Sequence, residues 1–390
     1  MLPETGPLER FRSEGYKELE YDFVSTDSYR VSARRLNRIR HEENSAKATT
    51  VRNQSENEGI AIDKAKRAVY TEALKSSGFS EEGQKYEETE IDFTESLEKT
   101  VPLEEVAERA AEIGIENRPG QGIITSKYEL PGETVNISID EVVVKEQSGE
   151  RPHPERPANS RKQVSNTVVQ VQKKGMGNYV IVGETMAKAM QMLLGFLLYN
   201  NLLGENPLVF FADGAKNIRK AVTEYFGFAH YSYIIDWPHL TKKSAELLSM
   251  AINGKAKRNE VHGKLKKLLW YGNTSAALKF LGSLSAGYIK SADYLSDLQK
   301  YIERNLDAIP CYALRKQLGL RNSSNVVEKA NDRVVSSRQK HNGMAWSVGG
   351  SFGLASLSAT HINHEMAQWL HTGSVRFTFD ESDTQLAKTA

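Results

Sequence analysis

Apolar and polar residues alternate along three short runs, Val135 to Lys145, Gln163 to Gln172 and Tyr179 to Val182, joined by turn-forming segments. Alternation of period two, rich in Val and Ile, predicts β-strands, and three such runs in succession predict an antiparallel meander. The spacing then changes. Glu184 to Leu203 predicts a helix, Leu208 to Ala212 a buried strand, Lys216 to Phe226 an amphipathic helix, and Tyr231 to Ile235 a further strand. From 240 to 320 the pattern is helical throughout; Ser291, for example, is a candidate N-cap before Tyr294, Leu295, Leu298, Tyr301 and Ile302 on one face. A last helical block runs from Val326 to about Leu370 and gives way to a polar tail.

The first hundred residues have a different texture. They are polar, hold several charge-rich helical stretches, and include Ser45 to Glu58, which reads as an exposed connector. Arg30, Arg34 and Arg38 recur at i, i+4 and i+8, so one helical face could lie along a phosphate backbone or simply face solvent. Between Pro102 and Gly114, apolar Leu103, Val106, Ala107, Ala110 and Ile113 follow the 3.6-residue period, and Gly114 supplies a stop. Gly149 to Ser160 contains Pro152, Pro154 and Pro157 and reads as a loop or flap between strands.

A meander followed by alternating helix and strand predicts an α/β fold with a ribonuclease-H-like mixed sheet, ordered β-β-β-α-β-α-β-α; an all-parallel dinucleotide fold would not begin with a meander. A chain of 390 residues exceeds one ordinary core. The expected division is a charge-rich helical region over 1–130, a sheet-bearing domain over 131–243 and 321–372, an all-helical insertion over 244–320, and a tail over 373–390.

Composition narrows the class. Hydrophobic residues make up 39% and charged residues 26% of the chain, which describes a soluble globular protein. The most apolar stretch, Met186 to Leu203, is interrupted by Lys188, Gln191 and two Asn, so no membrane partner is expected. The single Cys311 excludes an intrachain disulfide and any zinc site made of Cys pairs, and the charged N-terminus is unlike a secretory leader, so the cytoplasm is the expected compartment. The net charge of +1 is unevenly spread: residues 1–130 hold 19 Lys and Arg against 27 Asp and Glu, and residues 131–390 hold 32 against 23. The basic second part permits a polyanionic partner without requiring one.

Four places could carry chemistry. Asp140 interrupts a strand otherwise suited to burial, where a carboxylate needs a salt bridge or a cation. Asp213 ends the apolar run Leu208 to Ala212, where open α/β sheets place ligands, although Asp213-Gly214 also reads as a plain turn. Asp236 and His239 flank Pro238 at a strand-to-helix junction and could face the same way, behind the first two acids. Glu328 and Asn331 border the apolar face made by Val327, Ala330, Val334 and Val335. Downstream, Arg333, Arg338, Lys340 and His341 join positive charge to Trp346, a mixture suited to phosphate contact and base stacking, with Trp346 in the core as the equal alternative.

Taken together, Ser138-Ile139-Asp140, Phe211-Ala212-Asp213-Gly214-Ala215, Ile235-Asp236-Trp237-Pro238-His239-Leu240 and Val327-Glu328 through Val335, continuing into Gly343-Met344-Ala345-Trp346-Ser347, form an ordered set. It resembles the DDE transposases of prokaryotic insertion sequences, in particular the Mutator-like group, whose signature is Asp, Asp-Gly, Asp or Cys-x-x-His, then Glu. The resemblance covers roughly residues 130–360. It implies that Asp140, Asp213 and Glu328 are catalytic carboxylates holding two Mg²⁺ or Mn²⁺ ions, the hard cations that oxygen ligands select. It also implies double-stranded DNA as partner, both element ends and target, with the protein at the nucleoid and at least a dimer on DNA. Arg321 to Asn325 replaces a Gly-rich turn common before the Glu, and Glu141 stands where a small residue is common. A ribonuclease-H-like nuclease without end joining, or a repurposed DNA-binding protein, would share much of the pattern.

Overall fold

A computed structural model describes residues 12–115, 123–147, 163–340 and 344–380. The expected flap at Gly149 to Ser160, and His341 and Gly343, lie outside the described residues. The core is a five-stranded mixed sheet made of β1 (Val135–Lys145), β2 (Gln163–Lys173), β3 (Gly177–Gly183), β4 (Leu208–Ala212) and β5 (Tyr231–Ile235), in the order β3-β2-β1-β4-β5. β1, β2 and β3 pair antiparallel, as the meander predicts, while β4 lies parallel to both β1 and β5.

Sixteen α-helices are described. Before the sheet come α1 (Glu14–Thr26), α2 (Tyr29–Arg40), α3 (Ala48–Ser76), α4 (Thr94–Glu98) and α5 (Leu103–Glu112). Within and after it come α6 (Met186–Tyr199), α7 (Lys216–Phe226), α8 (Trp237–Ala251), α9 (Lys255–Trp270), α10 (Thr274–Gly282), α11 (Ala292–Arg304) and α12 (Tyr312–Gln317). The chain ends in α13 (Asn325–Asn331), α14 (Ser337–Gln339), α15 (Val348–Ile362) and α16 (Met366–Thr372). Local chemistry sets several starts: the hydroxyls of Ser13, Ser28, Thr185 and Ser347 accept N–H groups of the first turns of α1, α2, α6 and α15. None of the described helices is long and apolar enough to cross a membrane.

Strand register assigns the faces. Phe210 packs against Phe226 of α7 and Tyr179 stacks on Phe196 of α6 at 4.4 Å, so α6 and α7 cover one face. Asp140 lies on the opposite face, opposite Val168 of β2, whose neighbour but one, Asn166, donates to Ser351 of α15 at 2.7 Å. On that face Val209 and Phe211 of β4 join the core of the helical run α8–α12.

The run Ser45 to Glu58 is not an exposed connector: from Ala48 onward it is the start of the 29-residue helix α3. The apolar signal is weak because the buried face uses Ser55, Gly59 and Lys66 beside Val51, Ile62 and Tyr70. These small residues admit α15 unusually close. A Cβ on Gly59 would fall 1.7 Å from the carbonyl oxygen of Gly353, and one on Gly353 would fall 2.3 Å from that of Glu56. One turn beyond Ile62, Lys66 forms a buried ion pair of 2.9 Å with Glu365, which also accepts the Tyr179 hydroxyl and the Phe377 N–H. Helices α1–α3 thus share one core with the sheet and with α15.

Candidate active site

The strand pattern brings the first two acids level. β1 and β4 run parallel, their last pair is Ser138 with Phe211, and Asp140 and Asp213 each lie two residues further on. Both segments therefore present a carboxylate at the carboxyl edge of the shared sheet, where β4 has ended and β1 continues alongside β2. Asp213 also makes the expected turn: its Oδ1 accepts the Ala215 N–H at 2.8 Å, and Gly214 takes φ +83°, a region that favours glycine. The turn and the site are the same feature.

Asp140 is half-buried. Its Oδ1 accepts the Glu141 N–H at 2.8 Å and its Oδ2 accepts Nδ2 of Asn331 at 2.5 Å. Burial raises its pKa above the ordinary aspartate value, the Glu141 N–H opposes, the Asp213 charge raises it further, and His239 and Lys340 draw it down. Two strand carboxylates sharing this setting favour a cation between or beside them.

Behind them stands a hydrogen-bonded dyad. Asp236 is fully buried and caps α8; its Oδ2 accepts the His239 N–H at 3.0 Å and meets His239 Nδ1 at 2.8 Å, and its Oδ1 accepts the Ser324 N–H. Burial works against its charge, yet the hydrogen bonds from the His239 ring and from the Ser324 and His239 N–H groups hold its carboxyl below the usual range. The same bond raises the His239 pKa; burial opposes, and the charges of Asp236, Glu328 and Asp140 add to the rise. Its Nε2 lies 3.7 Å from Oε1 of Glu328, whose side chain is 52% exposed on α13. The imidazole therefore stands between a buried acid on one side and the third candidate carboxylate on the other.

Comparison with protein-family models, with curated proteins and with solved structures finds no match.

Asp140, Asp213, Asp236, His239 and Glu328, expected from the pattern, are thus gathered from β1, the ends of β4 and β5, α8 and α13. As a donor set, three carboxylates on separate elements suit hard divalent cations. One further observation fits: Oδ1 of Asn331, the residue bonded to Asp140, is buried without a hydrogen-bond partner. Among the described residues, no three His, Cys, Asp or Glu side chains are close enough together to cage an ion.

Of the residues read as DNA contacts, Arg30, Arg34 and Arg38 are exposed on α2, and Arg34 and Arg38 line a shallow cavity of about 480 Å³ with His41. Arg333 and Lys340 are exposed. Arg338 corrects the expectation, and Trp346 takes its core alternative: they are 2% and 4% exposed. The Arg338 guanidinium lies 4.8 Å from the Tyr29 ring and 5.2 Å from the Trp346 ring, and its Nε donates to the Val24 carbonyl at 3.0 Å. The mixture of cation and aromatic that suits nucleic acid suits an internal cation–π stack equally well. A π-helical turn over Asp332–Ser336 separates the helix of Glu328 from Arg338 and shifts the helical phase.

Two contacts were not legible from local pattern. Tyr301 of α11 donates its hydroxyl to the Asp213 carbonyl at 3.0 Å, across 88 residues. Ser324 acts through its backbone N–H, which any residue but proline supplies.

Proposed function

We propose that this chain is a DNA transposase that hydrolyses phosphodiesters at the ends of a mobile element and joins the freed 3′ ends to target DNA. The observation that carries the reading is the pairing of Asp140 and Asp213 at the carboxyl edge of adjacent parallel strands, with Glu328 facing them through His239. The sheet order and directions support a ribonuclease-H-like fold as the scaffold.

Asp140, Asp213 and Glu328 are the residues to hold two Mg²⁺ or Mn²⁺ ions. Such ions, when bound, activate a water or 3′-hydroxyl and stabilise the charge of the transferring phosphoryl group. Asn331 fixes the rotamer of Asp140 through its Oδ2. Asp236 fixes the orientation of His239 and, through that hydrogen bond, raises the pKa of the imidazole that faces Glu328. Lys340 adds a cation on the Asp140 side, suited to a substrate phosphate. No nucleophilic Ser or Tyr is required, and processing two ends in one event calls for at least a dimer on DNA.

The test is cleavage and joining of labelled DNA bearing the native element ends with Mg²⁺ or Mn²⁺, for the parent protein, Asp213→Ala and Glu328→Ala. Joined products that both variants lose are expected. Cleavage without joining would make the protein a nuclease, and cleavage untouched by either substitution would refute the site.

A further inference from the structure

Trp237 follows Asp236 directly, yet its ring takes no part in the carboxylate cluster. It packs 4.9 Å from the ring of Trp270 and 4.9 Å from that of Tyr312. Beside it, between the start of α8 and the second half of α9, a cavity of about 650 Å³ opens to solvent, lined by Trp237, Gly263, Lys266, Lys267, Trp270 and Tyr271. We infer that this groove binds an unpaired strand of DNA, with bases against the aromatic rings and phosphates against the two lysines.

Three features point to that occupant. The first is chemical: three aromatic side chains beside two exposed lysines are the two components that sequence-tolerant single-strand binding needs, a stacking platform and a cationic track. The second is charge. Helix α9 carries six Lys or Arg against the single acid Glu260, and that acid is already engaged by Lys257 at 3.0 Å. Lys257 and Lys264 also lie over the rings of Tyr288 and Phe280, whereas Lys266 and Lys267 have no acidic partner among the described residues. The third is Gly263. Glycine inside a helix costs about 1 kcal/mol relative to alanine, and here no packing demands it, since a Cβ at this position would meet nothing within 4 Å. A helical glycine that no neighbour requires keeps the groove floor low, which suits close approach of a ligand.

A duplex holds its bases stacked against each other and would offer the rings nothing but backbone. An unpaired strand offers bases and phosphates together, and the groove begins one residue from the cap that holds His239. The inference rests on the reading of DNA as substrate only in its choice of probe.

The experiment is anisotropy of a short fluorescein-labelled oligo(dT) with the full chain in EDTA, repeated with a duplex of equal length. Tyr271→Ala is expected to weaken single-strand binding on the order of ten-fold, the effect of one stacked base. The Lys266→Ala/Lys267→Ala variant should lower the slope of log affinity against log salt by about 1.4. Gly263→Met fills the groove with a better helix former, so it should weaken binding while thermal stability holds or rises. No single-strand binding by the parent protein, or affinity unchanged in both Tyr271→Ala and Gly263→Met, overturns the proposal. A lysine variant that weakens both strand forms equally while Tyr271→Ala does nothing also overturns it, since only phosphate contact is then present. Binding that follows the expected pattern in a protein without metal-dependent cleavage upholds the groove and counts against the transposase reading alone.

Discussion

Substituting Gly59 with alanine tests whether the crossing of α3 and α15 supports the whole sheet. In an unconstrained helix the change would stabilise by about 1 kcal/mol. Here the new Cβ would stand 1.7 Å from the Gly353 carbonyl oxygen, where ordinary contact begins at 3.4 Å, so the helices must part by roughly the difference. Overpacking of a tight contact costs about 1–3 kcal/mol and occasionally more. The obstacle is backbone on both sides, so the upper end applies, and the net loss is about 2 kcal/mol after the helix-propensity gain. Helix α15 supplies the control, because a Cβ on Gly349 meets nothing within 4 Å. Urea unfolding followed by circular dichroism should move the midpoint down for Gly59→Ala and Gly353→Ala, and leave it unchanged or raised for Gly349→Ala. A Gly59→Ala protein as stable as its parent would refute the close crossing. The consequence reaches the site, because Ser351 of α15 bonds Asn166 on the sheet face that carries Asp140.

Further outcomes follow from the charges. Asp236→Asn should let the His239 pKa, followed by NMR, fall towards its ordinary value, since the Asp236 hydrogen bond is the largest cause of its rise. The depressed Asp236 pKa contributes stability present above the unfolded value of about 3.9 and lost as pH falls through the lower folded value; the raised His239 pKa contributes stability present below about 6.5 and lost as pH rises through the higher folded value. The stability deficit of Asp236→Asn should therefore be largest between about pH 4 and 6.5, and a deficit independent of pH would refute the dyad. Arg338→Ala should cost about 2 kcal/mol or more through lost packing, measured by urea unfolding; weakened DNA binding with stability intact would contradict its burial. Replacing Arg30, Arg34 and Arg38 with alanine should lower the salt slope of duplex binding by about 2.7 if all three meet phosphates, and an unchanged slope would leave α2 a solvated helix.

The strands and helices of the sheet region were readable because their causes are local. The runs starting at Val135 and Gln163, Leu208 to Ala212, Lys216 to Phe226 and Tyr231 to Ile235 were recognised within a residue or so of their observed ends. The alternation or 3.6-residue spacing that buries one face is written in neighbouring positions. Asp213 and Asp236 were locatable for the same reason, each ending a short apolar run at a turn or cap. Local spacing could not say that Asn331 would reach Asp140, 191 residues away, or that Tyr301 would hold the Asp213 carbonyl. It misread Ser45 to Glu58, because a helix buried through serine, glycine and lysine carries little apolar signal until its partner α15 is in place. It assigned Arg338 to phosphate and left Trp346 between base and core, since a guanidinium beside an indole is as stable against a ring of its own protein as against a base. Periodicity records which face of an element is buried. What a polar or aromatic side chain meets there depends on segments far along the chain, and only their packing together settles it.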